Sequence, residues 1–219
     1  MSLDFTAAGE QSTLIDTTIF LSASIPDPRR WDGPAYALAI TDAVVSLARV
    51  FLTAGARIVT AAHPTIAPLL LYVAAELPAE TPRRIVTYQS ELFKDVLPAA
   101  TQRFRDEGIG EFIWTAAAPG DTPEPGEREA SLQIMRERML GETEPSAAMF
   151  IGGMQGIPDE YAMFISRSPG APVYPLGSPG GEARRLIEGL DSPLREELMS
   201  SRLYPALWRS VLKDLAARQ

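Results

Sequence analysis

The sequence predicts an α/β protein: a three-layer, doubly wound parallel sheet with helices on both faces. Short apolar runs rich in β-formers alternate with longer stretches of helical spacing, the order that parallel strands joined by crossover helices require. The stretch 147–161 shows the transition most clearly, passing from an apolar strand pattern through Gly152, Gly153 and Gly156 into a helix start. Composition fits one globular domain over 1–219: 46% of residues are hydrophobic and 22% charged, and the chain is long enough to enclose a sizeable core. That core is expected over about 17–190, with a helical tail over about 192–219.

Strands are expected at 18–22, 57–61, 84–88, 111–115, 147–151 and 172–175. Between the first two, residues 35–53 place Ala39, Ala43, Val44, Leu47, Val50 and Phe51 at helical spacing and stop at Gly55, an ordinary C-terminal breaker. A second helix follows Pro64, whose fixed φ and missing N–H suit a first helical position. A third covers about 95–107 and ends at Gly108; a fourth covers about 127–140. Before the fourth, residues 116–127 are acidic and rich in Pro and Gly, the composition of a loop or flap. Further helices open after the Gly156 turn and at Glu182. The tail carries Leu203, Leu207, Val211, Leu212 and Leu215 on one side, which suits a helix closing against the sheet or a partner subunit.

Charge and residue usage narrow the function. A net charge of −8 argues against binding duplex nucleic acid over a broad face, which needs clustered Lys and Arg. The absence of Cys removes disulfides, thiolate nucleophiles and Cys-based zinc sites, and with a single His no metal site is expected. The first residues include Asp4, Glu10 and Asp16 rather than a basic leader, and no apolar run approaches the roughly 18–20 residues of a membrane helix. The expectation is a cytoplasmic protein without membrane contact.

Ligands of open parallel sheets bind beyond the carboxyl ends of the strands, where strand order reverses. The loops there supply the candidate site: Ser22, Ala23 and Ser24 after strand one; Ala62, His63, Pro64 and Thr65 after strand two; Gln89 after strand three; Gly152, Gly153, Met154, Gly156 and Ile157 after strand five; and Gly177 after strand six. Glycines let the backbone turn sharply and approach a ligand, while the following helix offers N–H groups and a positive dipole end to an anion. Glu160 falls one helical turn inside, facing the same cleft. Loops that are small, polar and largely uncharged suit a nucleotide or sugar phosphate better than an apolar ligand. Each residue also has an ordinary structural role: His63 as a helix-start histidine, Glu160 as a first-turn acid, Arg136 and Arg138 on a solvated face, and Met135, Met139, Met149 and Met163 as core filler.

Three segments, Ile19-Phe-Leu-Ser-Ala-Ser-Ile-Pro26, Ala61-Ala-His-Pro-Thr-Ile66 and Phe150-Ile-Gly-Gly-Met-Gln-Gly-Ile-Pro-Asp-Glu160, together resemble the SLOG superfamily over about 18–190. That superfamily joins the Smf/DprA DNA-processing proteins, the Lonely guy phosphoribohydrolases, and nucleotide-sensing domains of TRPM-type channels and bacterial conflict systems. The chain looks like a short bacterial branch in which a Gly-Gly-His-Pro-like loop pairs with a Gly-Gly-Met-x-Gly-Ile-x-x-Glu turn, with Ala61 and Ala62 here in place of the first two glycines. The resemblance implies a Rossmann-like fold that binds a nucleotide or an ADP-ribose-like signal and passes its state to a separately encoded effector. It also implies a homodimer, in keeping with the apolar faces of the 127–140 and 203–215 segments.

The enzyme branch of the resemblance implies a sharper chemistry. Lonely guy enzymes release the base from a nucleoside 5'-monophosphate with an Arg on one helix and a Glu in a Pro-Gly-Gly-x-Gly-Thr-x-x-Glu turn. Met135-Arg-Glu-Arg-Met139 resembles their Met-x-x-Arg helix, which makes Arg136 the candidate, with Arg138 the alternative, and Glu160 the carboxylate. The turn departs from that pattern: one residue is inserted before its third glycine, the leading Pro is absent, and Ile157 replaces Thr. Loss of that hydroxyl favours binding without turnover, so a non-catalytic sensor is expected, with the phosphoribohydrolase as the alternative and a DNA-related scaffold third.

Overall fold

The computed structural model describes residues 14–78, 81 and 84–218; the early acids Asp4 and Glu10 lie outside the described residues. Strands β1 (Thr18–Ser24), β2 (Arg57–Ala61), β3 (Ile85–Ser90), β4 (Glu111–Thr115), β5 (Ala147–Gly152) and β6 (Val173–Leu176) form one sheet in the order β4-β3-β2-β1-β5-β6, parallel throughout. The chain steps outward from β1 to β4, then returns to add β5 on the other side of β1. The β1–β5 boundary is therefore the topological switch point, with Ser22 opposite Phe150 and Ser24 opposite Gly152. This is a Rossmann-like α/β fold, as the alternation of runs predicts.

Strand periodicity divides the core in two. Ile19 and Leu21 of β1 and Ala147, Met149 and Ile151 of β5 point to one face, where they join α1 (Ala37–Thr53), α2 (Ala67–Glu76) and α8 (Tyr204–Ala216). Phe20, Ala148 and Phe150 point to the other, against α4 (Glu129–Thr143) and α5 (Gly156–Arg167). Because side chains alternate with period two, Ser22 shares the face of Phe20 and looks toward α4 and α5.

Element boundaries differ from expectation where local chemistry intervenes. β1 runs two residues further, to Ser24, because Ala23 and Ser24 still pair with Ile151 and Gly152 of β5. Pro64 does not open a helix: it lies in a turn in which Ile66 and Ala67 donate to the His63 carbonyl, and α2 starts at Ala67 with proline in its first turn. Residues 91–96 form a 3-10 turn in which Ser90 Oγ accepts from Leu92 N, and α3 (Ala99–Asp106) begins only past Pro98, a proline that biases Leu97 toward extended backbone. α4 continues through Gly141 and ends at Thr143, before Glu144 in the left-handed region. α6 (Glu182–Glu188) opens at the residue expected. The tail forms two helices, α7 (Arg195–Ser200) and α8.

α8 is part of the core. Leu207, Trp208, Val211 and Leu215 are buried against α1, the Trp208 ring meets Phe51 edge to face, and its Nε1–H donates to the Ala43 carbonyl at 2.9 Å. The apolar stripe of the tail is thus covered within the chain, although Leu203 stays exposed. Trp208→Ala should cost about 3–5 kcal/mol in urea unfolding, the usual effect of emptying a buried tryptophan site. A loss below about 1 kcal/mol would mean that α8 is peripheral.

Candidate functional site

A cleft of about 790 Å³ opens at the carboxyl ends of β1, β2 and β3, beside the switch point. Its floor is β1, with Ser22, Ala23 and Ser24; Ala62, His63 and Pro64 form one side and Gln89 extends it. Met154, Gly156, Ile157 and Glu160 at the start of α5 form the other side, and Arg136 of α4 reaches in above them.

The Glu160 carboxylate sits at the centre. Ser22 Oγ donates to Glu160 Oε2 at 2.5 Å, and Arg136 Nε donates to Glu160 Oε1 at 2.9 Å. Both charged side chains are nearly buried, 9% and 13% exposed, so each needs the other to offset lost hydration. Arg136 reaches this position because residue 156 is glycine: a Cβ there would stand 2.9 Å from an Arg136 terminal nitrogen. No side chain caps the α5 N-terminus, but Ile157 N already donates to Met154 O at 3.0 Å and residue 158 is proline, so capacity for an anion there rests on the Gly156 N–H and the helix dipole.

The glycine turn shapes this corner from below. Gly152 and Gly153 have φ of +64° and +74° and are buried under the cleft rather than lining it. A Cβ on Gly152 would strike the Ser24 carbonyl at 2.6 Å, and one on Gly153 would meet Ile157 at 2.2 Å. Gly153 N donates to Ser24 O at 2.8 Å and Gly153 O accepts from Glu182 N at 3.0 Å, which stitches β1, β5 and α6 together. A branched side chain at 153 therefore strains the backbone as well as any ligand approach.

On the opposite side, Thr65 N donates to His63 Nδ1 at 3.4 Å and the Thr65 hydroxyl lies 2.9 Å from that nitrogen. Acceptance at Nδ1 assigns the proton to Nε2, leaving a neutral donor in the cleft wall. Burial, aided by the Arg128 cation, lowers the His63 pKa to about 4. Thr65 is itself committed to the protein, since its Oγ1 also accepts from Ile25 N at 3.2 Å; it is outside the cleft lining.

Two further candidates lie elsewhere. Arg138 is two residues beyond Arg136, about 200° around the helix, and bonds to Glu142 at 2.6 Å and the Trp114 carbonyl at 2.8 Å. Gly177 is buried behind β6, where a Cβ would meet Met199 and Ile187. The structure adds residues that the sequence reading omitted. Arg30, Phe93, Arg128 and Leu132 line the cleft, and the Arg128 guanidinium lies 5.8 Å over the Phe93 ring. The 116–127 segment is an anchored flap: Asp121 accepts from Ser131 N, Ser131 Oγ accepts from Ala118 N, and Pro123 reaches the cleft. Arg30, Arg128 and Arg136 are matched in the lining by Glu129, Asp159 and Glu160, so anion capacity depends on local donors rather than bulk charge.

Among the described residues no cluster could hold a metal ion, and no helix is long and apolar enough to cross a membrane. Fold and site define a Rossmann-like domain with a cleft at its switch point. The sequence matches the profile of the SLOG cluster3 family over residues 30–212, and the chain belongs to that family, a group associated with nucleotide sensing. No curated protein shows significant similarity to the chain.

With a single His in the sequence, the protonation of His63 can be followed alone. Unfolded chains bind the proton near the ordinary 6.5, the folded chain only near 4. Stability is therefore full above pH 6.5 and falls as pH drops toward 4, by on the order of 2–3 kcal/mol from this group. The imidazole proton resonances should titrate with a midpoint near 4. A midpoint above about 6 would contradict the buried, neutral histidine.

Proposed function

We propose that the chain is a sensor domain that binds a nucleotide or nucleotide-derived signal of ADP-ribose type and passes its state to a separately encoded effector. The observation that carries this reading is the convergence at the switch point of an uncapped helix N-terminus, the Arg136 guanidinium and the neutral His63 donor beside an apolar wall containing Phe93. Donors of this kind suit phosphate oxygens and the wall suits a base. The reading includes a homodimer, with exposed Tyr36, Leu38 and Leu203 as apolar side chains left outside the core.

A second reading, N-glycosidic hydrolysis of a nucleoside 5'-monophosphate, is favoured by one observation: Glu160 and Arg136 are paired inside the cleft. An oxocarbenium-like transition state is stabilised by a nearby carboxylate, and a guanidinium can hold the phosphate. Against it, both oxygens of Glu160 are already engaged, by Ser22 and by Arg136.

Thermal unfolding with AMP, ATP, ADP-ribose and NAD separates these outcomes. At least one should stabilise the protein by about 2.7 kcal/mol at a hundredfold excess over Kd. No shift at millimolar concentration with any of them would remove the nucleotide reading. Under the sensor reading AMP is returned intact; release of free adenine by the wild type and its loss in Glu160→Gln would instead establish the hydrolase.

A further inference from the structure

The cleft does not end at the α5 N-terminus. A second compartment of about 370 Å³ is lined by Trp31, Asp32, Glu182 and Arg185, and Arg30, Met154 and Gln155 line both compartments. Each compartment contains an aromatic ring under a guanidinium: Arg128 over Phe93 at 5.8 Å in the first, Arg185 over Trp31 at 5.0 Å in the second. The lining that the two compartments share, Arg30, Met154 and Gln155, adjoins the start of α5, where Arg136 lies beside Gly156.

Charge assigns different tasks to these parts. The second compartment is lined by Arg30, Arg185, Asp32 and Glu182, and Arg185 is already bonded to Glu182 at 2.8 Å. Arg185 is therefore committed, and Arg30, which lines both compartments, is the cation at their junction. What the second compartment offers is the Trp31 ring, which lines it beside the Arg185 guanidinium, with carboxylate acceptors at hand, the match for a neutral heterocycle bearing N–H donors. The Trp31 indole Nε1–H has no acceptor among the described residues, so this ring is held by packing against Gly33 and by Arg185 rather than locked by a hydrogen bond. At the other end Phe93 shares the cleft lining with Val96, Leu97 and Leu132, beside Arg128, and suits a second heterocycle.

We infer that the groove takes a two-headed ligand of the dinucleotide class: two planar rings joined by an anionic bridge, one ring at Phe93, the other at Trp31, and the bridge along Arg30, Gln155 and Gly156. This rests on the nucleotide reading above and deepens it by fixing the size and orientation of the ligand.

Calorimetric titration of the full chain with AMP as the one-ring probe, and NAD and cyclic di-AMP as two-ring probes, tests it. At least one two-ring probe should bind about tenfold or more tighter than AMP, the gain expected from stacking a second base. Trp31→Ala should erase that advantage while leaving AMP affinity within about twofold, Trp31→Phe should retain most of it, and Phe93→Ala should weaken both probe types. If Trp31→Ala does not fold, Trp31→Leu, which keeps apolar bulk without the ring, makes the same comparison. Equal affinity of AMP and both two-ring probes overturns the inference, as does an advantage that survives removal of the Trp31 ring. Wild type that binds none of the three, nor ATP or ADP-ribose, overturns the nucleotide reading and this inference with it, whereas binding of AMP or ADP-ribose without gain from a second ring overturns this inference alone.

Discussion

The Glu160 carboxylate joins three elements that are far apart in sequence. Ser22 at the end of β1 and Arg136 on α4 each take one of its oxygens, and Glu160 itself sits on the first turns of α5. In a site this dry the link is strong because each partner is costly to leave alone: a buried guanidinium or carboxylate without its counterpart loses hydration that nothing replaces. The link fixes the distance between β1 and α5 at the switch point, and with it the width of the cleft. It also sets where a ligand must act. Any anion that recruits Arg136 competes with Glu160, so binding at the α5 N-terminus is coupled to the position of α4.

Beneath that link lies a backbone constraint. The turn after β5 is squeezed between the Ser24 carbonyl on one side and the Gly181 turn on the other; a Cβ on Gly181 would come within 2.4 Å of the Gly152 backbone. Gly152, Gly153 and Gly181 all have positive φ. A glycine-rich turn in such a sheet is usually attributed to ligand approach, but here close strand-to-helix packing already demands it at these positions. Gly156 is the glycine whose missing side chain serves the cleft directly, through the space that it leaves for Arg136.

The sheet was legible because buried parallel strands are short apolar runs with punctuation at both ends, and each of the six expected runs contains the core of an observed strand. The loops that follow them were legible for the same reason, since topology alone brings the ends of β1, β2, β3 and β5 to one edge. What was not legible is what reaches over that edge. Phe93 belongs to a 3-10 turn whose position is set by Pro98 and by packing, and Arg128 and Arg30 lie in irregular segments with no periodicity to orient them. A signal existed for Phe93, which follows Gln89 by four residues at the carboxyl end of β3. The choice between Arg136 and Arg138 was likewise open, since Met135 and Met139 stand at equal angles from both; the buried face of α4 extends toward Leu140, four residues beyond Arg136, and buries Arg136 while Arg138 stays exposed.

If the Glu160 link organises the cleft, its strength should appear as a coupling energy. Urea unfolding of Glu160→Gln, Arg136→Met and the double variant forms a double-mutant cycle. The account predicts a coupling of at least about 1 kcal/mol, the double variant being less destabilised than the sum of the singles because neither charge is left buried alone. Additivity within about 0.5 kcal/mol would show that the two side chains do not support each other, and would contradict the account.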